Sequence, residues 1–188
     1  MAEAWLGEDY GSDRLLLLGE SAFSWAGEDG EIHHPPPEHP IHLVNNAIKG
    51  TPGRFMTMLT RGITACEAPA REQALAAWAK VAFFNYVPGT VGFGPRVRPT
   101  PEKWAEASLA FPKLLATLAP QTVIVLGKDL WKHMPDADVW LTDDVQGYAL
   151  PDGQTAICWA VPHPSGGLSW RRLAQVIAFA ARREIILK

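Results

Sequence analysis

Leu15-Leu16-Leu17-Leu18-Gly19-Glu20 is the stretch that decides the fold. A segment apolar at every position, rather than at alternate ones, suits a strand covered on both faces, and such strands belong to parallel sheets lying under helices. The same length and texture recur at Val81-Ala82-Phe83-Phe84, at Val123-Ile124-Val125-Leu126 and over residues 156–161. Helical patterns lie between these runs. Residues 70–80 are rich in Ala, and from Pro101 to Leu118 the residues Trp104, Ala107, Ser108, Phe111, Leu115 and Leu118 recur at helical spacing on one face. Thr100 is a suitable N-cap for that second helix, with Pro101 at its first position. A last helix is expected from about Ser169 into the C-terminus, with Leu173, Val176, Ile177 and Ala180 inward. Strands alternating with helices predict a single domain over residues 1–188: a three-layer α/β/α arrangement around a central, mostly parallel, four-stranded sheet.

A chain of 188 residues can bury a sizeable core, roughly 70% of its unfolded surface at this length. Its formal charge of −3 argues against a strongly basic chromatin-like binder but leaves room for a local basic face. Such a face is suggested by Arg171, Arg172, Arg182, Arg183 and Lys188, set against the single acid Glu184, while Asp136, Asp138, Asp143 and Asp144 gather in one short stretch. Cys66 and Cys158 lie far apart and supply no zinc or iron–sulfur framework. The N-terminus lacks a signal pattern and no apolar run is long enough to span a membrane, so a cytoplasmic protein without membrane partners is expected. Residues 32–42 hold four Pro and four His and are expected to form an irregular surface loop. The prolines there argue against a helix that would align His33, His34, His39 and His42 as ligands, so no metal is expected.

In open α/β sheets the ligand crevice lies beyond the carboxyl ends of the strands. That rule selects Gly19-Glu20-Ser21-Ala22-Phe23, Asn85-Tyr86-Val87-Pro88, Gly127-Lys128-Asp129 and Pro162-His163-Pro164-Ser165. Asn85 presents a donor and an acceptor side by side, the complement of the edge of a uracil base. His163, between two prolines, is a stiffly held imidazole able to hydrogen-bond a leaving-group oxygen. Each group has a plainer reading. Glu20 suits a tight strand-to-helix turn, Asn85 an Asx-turn cap, and His163 a loop histidine bonded to backbone. Three such groups placed together at one sheet edge favour a shared site.

These residues, in this order, resemble the uracil-DNA glycosylase superfamily, particularly its bacterial iron–sulfur branch. The Gly-Glu-x-Pro-Gly of that branch is similar to Gly19-Glu20-Ser21-Ala22-Phe23, its Arg-x-Pro-Thr-Pro-Glu-Glu to Arg96-Val97-Arg98-Pro99-Thr100-Pro101-Glu102, and its His-Pro-Ser to His163-Pro164-Ser165. Asn85-Tyr86-Val87-Pro88 also resembles the Asn-x-Cys-Pro of the single-strand-selective branch.

The resemblance implies a monofunctional hydrolase of DNA repair that cleaves the N-glycosidic bond of a flipped-out deoxyuridine, releases free uracil, uses no cofactor and works as a monomer. In the roles it implies, His163 donates to the uracil oxygen, Asn85 selects the base beside Gly19, and Glu20 or Ser21 handles the water. Phe23, or second Phe55, stacks on the base. Ser165, Gly167, Arg171 and Arg172 meet the DNA backbone, and Leu168 fills the vacated stack. The sequence departs from the family pattern in lacking the cluster cysteines, with Gly89 where one would stand. Ser21 replaces the water-activating Asp or Asn of other branches, and Ala22 the usual Pro. Three other readings stay open: excision of another deaminated or mismatched base, a protein that only binds DNA or free bases, and an unrelated nucleotide-binding α/β domain. The last lacks a Gly-x-Gly-x-x-Gly or a Walker lysine after any strand.

Overall fold

The computed structural model describes residues 3–182. Ten strands and six helices follow in chain order among them: β1 (Trp5–Leu6), β2 (Leu15–Gly19), β3 (Ala22–Ala26), β4 (Ile32–His33), α1 (His39–Lys49), α2 (Arg54–Thr64), α3 (Arg71–Trp78), β5 (Val81–Asn85), β6 (Thr90–Phe93), α4 (Pro101–Leu118), β7 (Thr122–Leu126), α5 (Lys128–Lys132), β8 (Val139–Thr142), β9 (Val145–Ala149), β10 (Thr155–Val161) and α6 (Trp170–Ala181). The four apolar runs are strands and are neighbours in the order β5-β2-β7-β10, all parallel. Leu16, Leu18, Val123 and Val125 turn to one face, under Trp104, Phe111 and Leu115 of α4 and Leu130 of α5. Leu15, Leu17, Ile124 and Leu126 turn to the other, under α1, α2, α3 and α6. The class is therefore the three-layer α/β/α one expected from the sequence, because every central strand must bury both faces.

The sheet itself is larger and mixed. β1 adds antiparallel to β5, β9 antiparallel to β10, and β8 antiparallel to β9, giving seven strands in place of four. A second, three-stranded sheet runs β4-β3-β6. Neither β8, which is mostly exposed, nor the Gln- and Gly-containing β9 carries an unbroken apolar run.

The stretch 32–42 also departs from the expected loop. Ile32–His33 forms β4, and α1 starts at His39 with Pro40 inside its first turn. Proline is tolerated there because the amide it lacks has no partner within the helix. α4 begins as expected: Thr100 caps it by accepting from the Lys103 amide. α6 is capped by Ser169 and described as far as Ala181. Arg183, Glu184 and Lys188 of the basic segment lie outside the described residues. No helix among the described residues is long and apolar enough to cross a membrane.

Candidate functional site

Parallel register sets Gly19 of β2 directly beside Asn85 of β5. The two are so close that a β-carbon on Gly19 would stand 2.5 Å from the Asn85 Oδ1, which is why a residue without a side chain occupies the position. The chain is then pinned: the Tyr86 amide donates to the Gly19 carbonyl at 2.8 Å and the Val87 amide to the Glu20 carbonyl at 2.9 Å. Asn85 is 9% exposed, and its side-chain amide has no hydrogen bond among the described residues. The Asx-turn expected of a plain loop cap is thus absent. The Asn85 amide atoms are not sealed from solvent, so water completes them until a ligand does.

Glu20 is 8% exposed, and both of its carboxylate oxygens accept from Arg98 Nη1 at 2.7 Å. Arg98 Nε lies 3.9 Å from Asp129 Oδ2, so one guanidinium joins the ends of β2 and β7. The neighbouring carboxylate, foremost through these hydrogen bonds, holds Arg98 even more firmly charged than usual. No helix follows Glu20; β3 begins two residues later.

His163 stands two residues beyond the end of β10, at the same edge. Its Nδ1 accepts from the Ser165 amide at 3.1 Å and lies 2.7 Å from the Ser165 hydroxyl. Because a backbone N–H can only donate, Nδ1 is the acceptor nitrogen and the neutral ring carries its proton on Nε2. Burial holds the imidazole below its ordinary pKa; the Glu20 carboxylate pulls it up and the Arg98 guanidinium pushes it down. The histidine is therefore a neutral donor of one hydrogen bond at pH 7. Gly127 lies beside this ring, and its φ of 144°, rather than crowding, is what calls for glycine: a β-carbon there would meet His163 Cδ2 at an ordinary 3.6 Å.

Phe55, at the start of α2, stacks on His163 with ring centres 5.8 Å apart and packs at 6.2 Å against Phe83. Phe23 instead lies on β3 of the small sheet, 39% exposed. Of the two candidate stacking rings, then, Phe55 is the one beside the imidazole. The Ser21 hydroxyl is half-buried and without a hydrogen bond among the described residues.

The DNA-facing candidates divide. Ser165 and Gly167 are exposed on the turn after His163, Gly167 with φ 101°. Arg172 is exposed in the first turn of α6. Arg171 lies over the Trp170 ring at 4.4 Å and donates to Glu67 at 2.8 Å. Leu168 is 5% exposed and packs in the core with Val161 and Leu173, so the expected wedge is instead a core side chain anchoring the turn ahead of α6.

Sequence reasoning gave no role to Arg98 or Asp129, although Arg98 stands in the Arg-x-Pro-Thr-Pro segment and Asp129 at a strand end. The His-rich stretch does not converge on a point. Among the described residues it forms no group of three potential ligands: His34 Nδ1 lies 2.8 Å from the Ser24 hydroxyl, while His33 and His39 both pack against Trp25, at 5.8 and 6.3 Å. A small cavity of about 10 Å³ lies between Asn85 and the prolines of this stretch, room for about one water. No protein-family model matches the chain, and no curated protein matches it.

Proposed function

We propose that this chain is a uracil-DNA glycosylase-type hydrolase that removes a flipped-out base from DNA without metal or cofactor. The observation that carries the reading is the open amide of Asn85, nine-tenths buried beside Gly19 at the edge that also holds Glu20 and His163. An amide of this kind can pair with the acceptor and donor on one edge of uracil, and its burial makes a base lacking that pattern unfavourable. Breaking the N-glycosidic bond sends the bonding electron pair to the base and leaves positive charge on the sugar. His163, donating through Nε2, stabilises the charge on the departing base oxygen. Glu20, fixed by Arg98, sets its carboxylate near the sugar and orients the water that adds to it. Phe55 supplies the ring against which the base lies, and a strand passes over Ser165, Gly167, Arg171 and Arg172.

The test incubates the protein with labelled oligonucleotides carrying uracil, hypoxanthine, xanthine or a G·T pair, single- and double-stranded, and then breaks abasic sites with alkali. Cleavage at uracil is expected, and Asn85→Ala and His163→Ala should each lower it by orders of magnitude. Cleavage at another base alone would replace uracil as the substrate. An intact strand bound in a salt-sensitive way would replace catalysis with binding.

A further inference from the structure

A cleft of about 230 Å³ opens between the end of α1, the body of α2 and the start of α3, and its lining includes none of Glu20, Asn85, Phe55 and His163. Three cations line it: Lys49, the last residue of α1; Arg61 on α2; and Arg71, the first residue of α3. Among the described residues, no carboxylate lies within 4.0 Å of any of them. Among the described residues the one acid in the lining is Glu67, and it is already engaged by Arg171 at 2.8 Å. Arg61 is half-buried, and its guanidinium makes no hydrogen bond among the described residues.

Like charges lining one cleft repel one another, Lys49 and Arg71 from its exposed sides, and the half-buried Arg61 guanidinium, drawn partly out of water without a counter-charge, adds to the cost. An anion in the cleft removes both penalties together. The volume equals on the order of eight waters in the liquid, enough for a phosphate with part of its sugar or of its own hydration shell. A chain with net charge −3 that nonetheless gathers three unpaired cations at one cleft has a focused field there, and such a field acts on anions whatever the overall sign. Through Glu67 the cleft adjoins Arg171, at the N-terminus of α6.

We propose that this cleft is a phosphate-binding site, with Lys49, Arg61 and Arg71 as its donors. The ligand group is a phosphodiester of a nucleic-acid strand or a free phosphate, which offer the same chemistry. The inference does not rest on base excision, because an undamaged strand carries the same phosphates.

The test uses the full chain and the variants Lys49→Gln, Arg61→Gln, Arg71→Gln and the triple variant. Binding of an undamaged labelled oligonucleotide is followed by fluorescence anisotropy over a range of salt, and inorganic phosphate is titrated by calorimetry. Retained urea midpoints verify folding. For a strand phosphate, the triple variant should bind the oligonucleotide at least about tenfold more weakly and lose roughly one to three from the slope of log K against log salt. For a free phosphate, the calorimetric heat should be present in the parent and lost in the triple variant, with oligonucleotide binding unchanged. A triple variant that matches the parent in both arms overturns the proposal. Excision is not read in either arm, so failure of the glycosylase assay leaves both outcomes intact.

Discussion

Arg98→Met is expected to cost more stability than Glu20→Gln, although both changes break the same ion pair. The asymmetry comes from burial: Glu20 is 8% exposed, whereas the Arg98 side chain is 59% exposed. Removing Arg98 leaves a buried carboxylate without its two hydrogen bonds. Breaking a fully buried pair in this way costs about 3–5 kcal/mol, and an exposed pair only about 0.2–1 kcal/mol. With one partner largely in water the expected loss lies between these, at about 1–3 kcal/mol. Glu20→Gln leaves only an exposed guanidinium that water can solvate, so it should cost less than about 1 kcal/mol. The double variant buries no charge and should be more stable than Arg98→Met alone, giving a coupling energy of about 1–2 kcal/mol. Urea unfolding followed by the fluorescence of the eight tryptophans measures all four proteins. Singles that add without coupling, or a Glu20→Gln loss as large as that of Arg98→Met, would refute the reasoning.

Other outcomes follow from the same geometry. In NMR the His163 ring should titrate below the ordinary histidine value of about 6.5, because burial outweighs the pull of Glu20. A folded-state pKa below the unfolded one means that its contribution to stability is complete above about pH 6.5 and fades as pH falls through the folded value. The advantage of the parent over His163→Asn in urea should shrink correspondingly toward acid. Gly62→Ala, in α2, should destabilise the fold. Its β-carbon would lie 2.7 Å from Cγ of the fully buried Leu173 on α6, and about 1–3 kcal/mol of overpacking outweighs the roughly 1 kcal/mol gained in helix propensity. A raised midpoint for this variant would show that the two helices separate freely.

The parts of the fold legible in the sequence are those whose surroundings are uniform along the chain. β2, β5, β7 and β10 are covered on both faces, so their sequences are apolar throughout and their order along the chain follows from inspection. The caps of α4 and α6 are local, and Thr100 and Ser169 announce them. β3 was hidden because its pattern is inverted. Small Ala22 and Ser24 face inward, while Phe23 and Trp25 face out, contrary to a reading by hydrophobicity. α1 was hidden by its own histidines and first-turn proline, and β1, β8 and β9 by their shortness or mixed character. At the site, Glu20, Asn85 and His163 each follow an apolar run and so could be found by position alone. Arg98 could not, because the carboxylate it meets is 78 residues away in the chain and their meeting depends on the packed sheet. The offset of Leu168 from His163 carries no information about which way the turn faces, and in the fold its side chain packs inward.

The outermost strand at one side of the large sheet is β8, with Val139 45% and Trp140 61% exposed and, among the described residues, no strand beyond it. An open ladder of this kind, with apolar side chains on it, is the usual place for two copies of a chain to join strand to strand. The acidic stretch noted in the sequence brackets this border: Asp136 and Asp138 precede β8, and Asp143 follows it. Among the described residues these three have no cation within 4.0 Å, whereas Asp144 is neutralised by Lys128. Two molecules approaching border to border would press these carboxylates together. Concentrated stocks should accordingly turn cloudy in acid or high salt, where the repulsion between borders is neutralised or screened, before they do so at neutral pH and low salt.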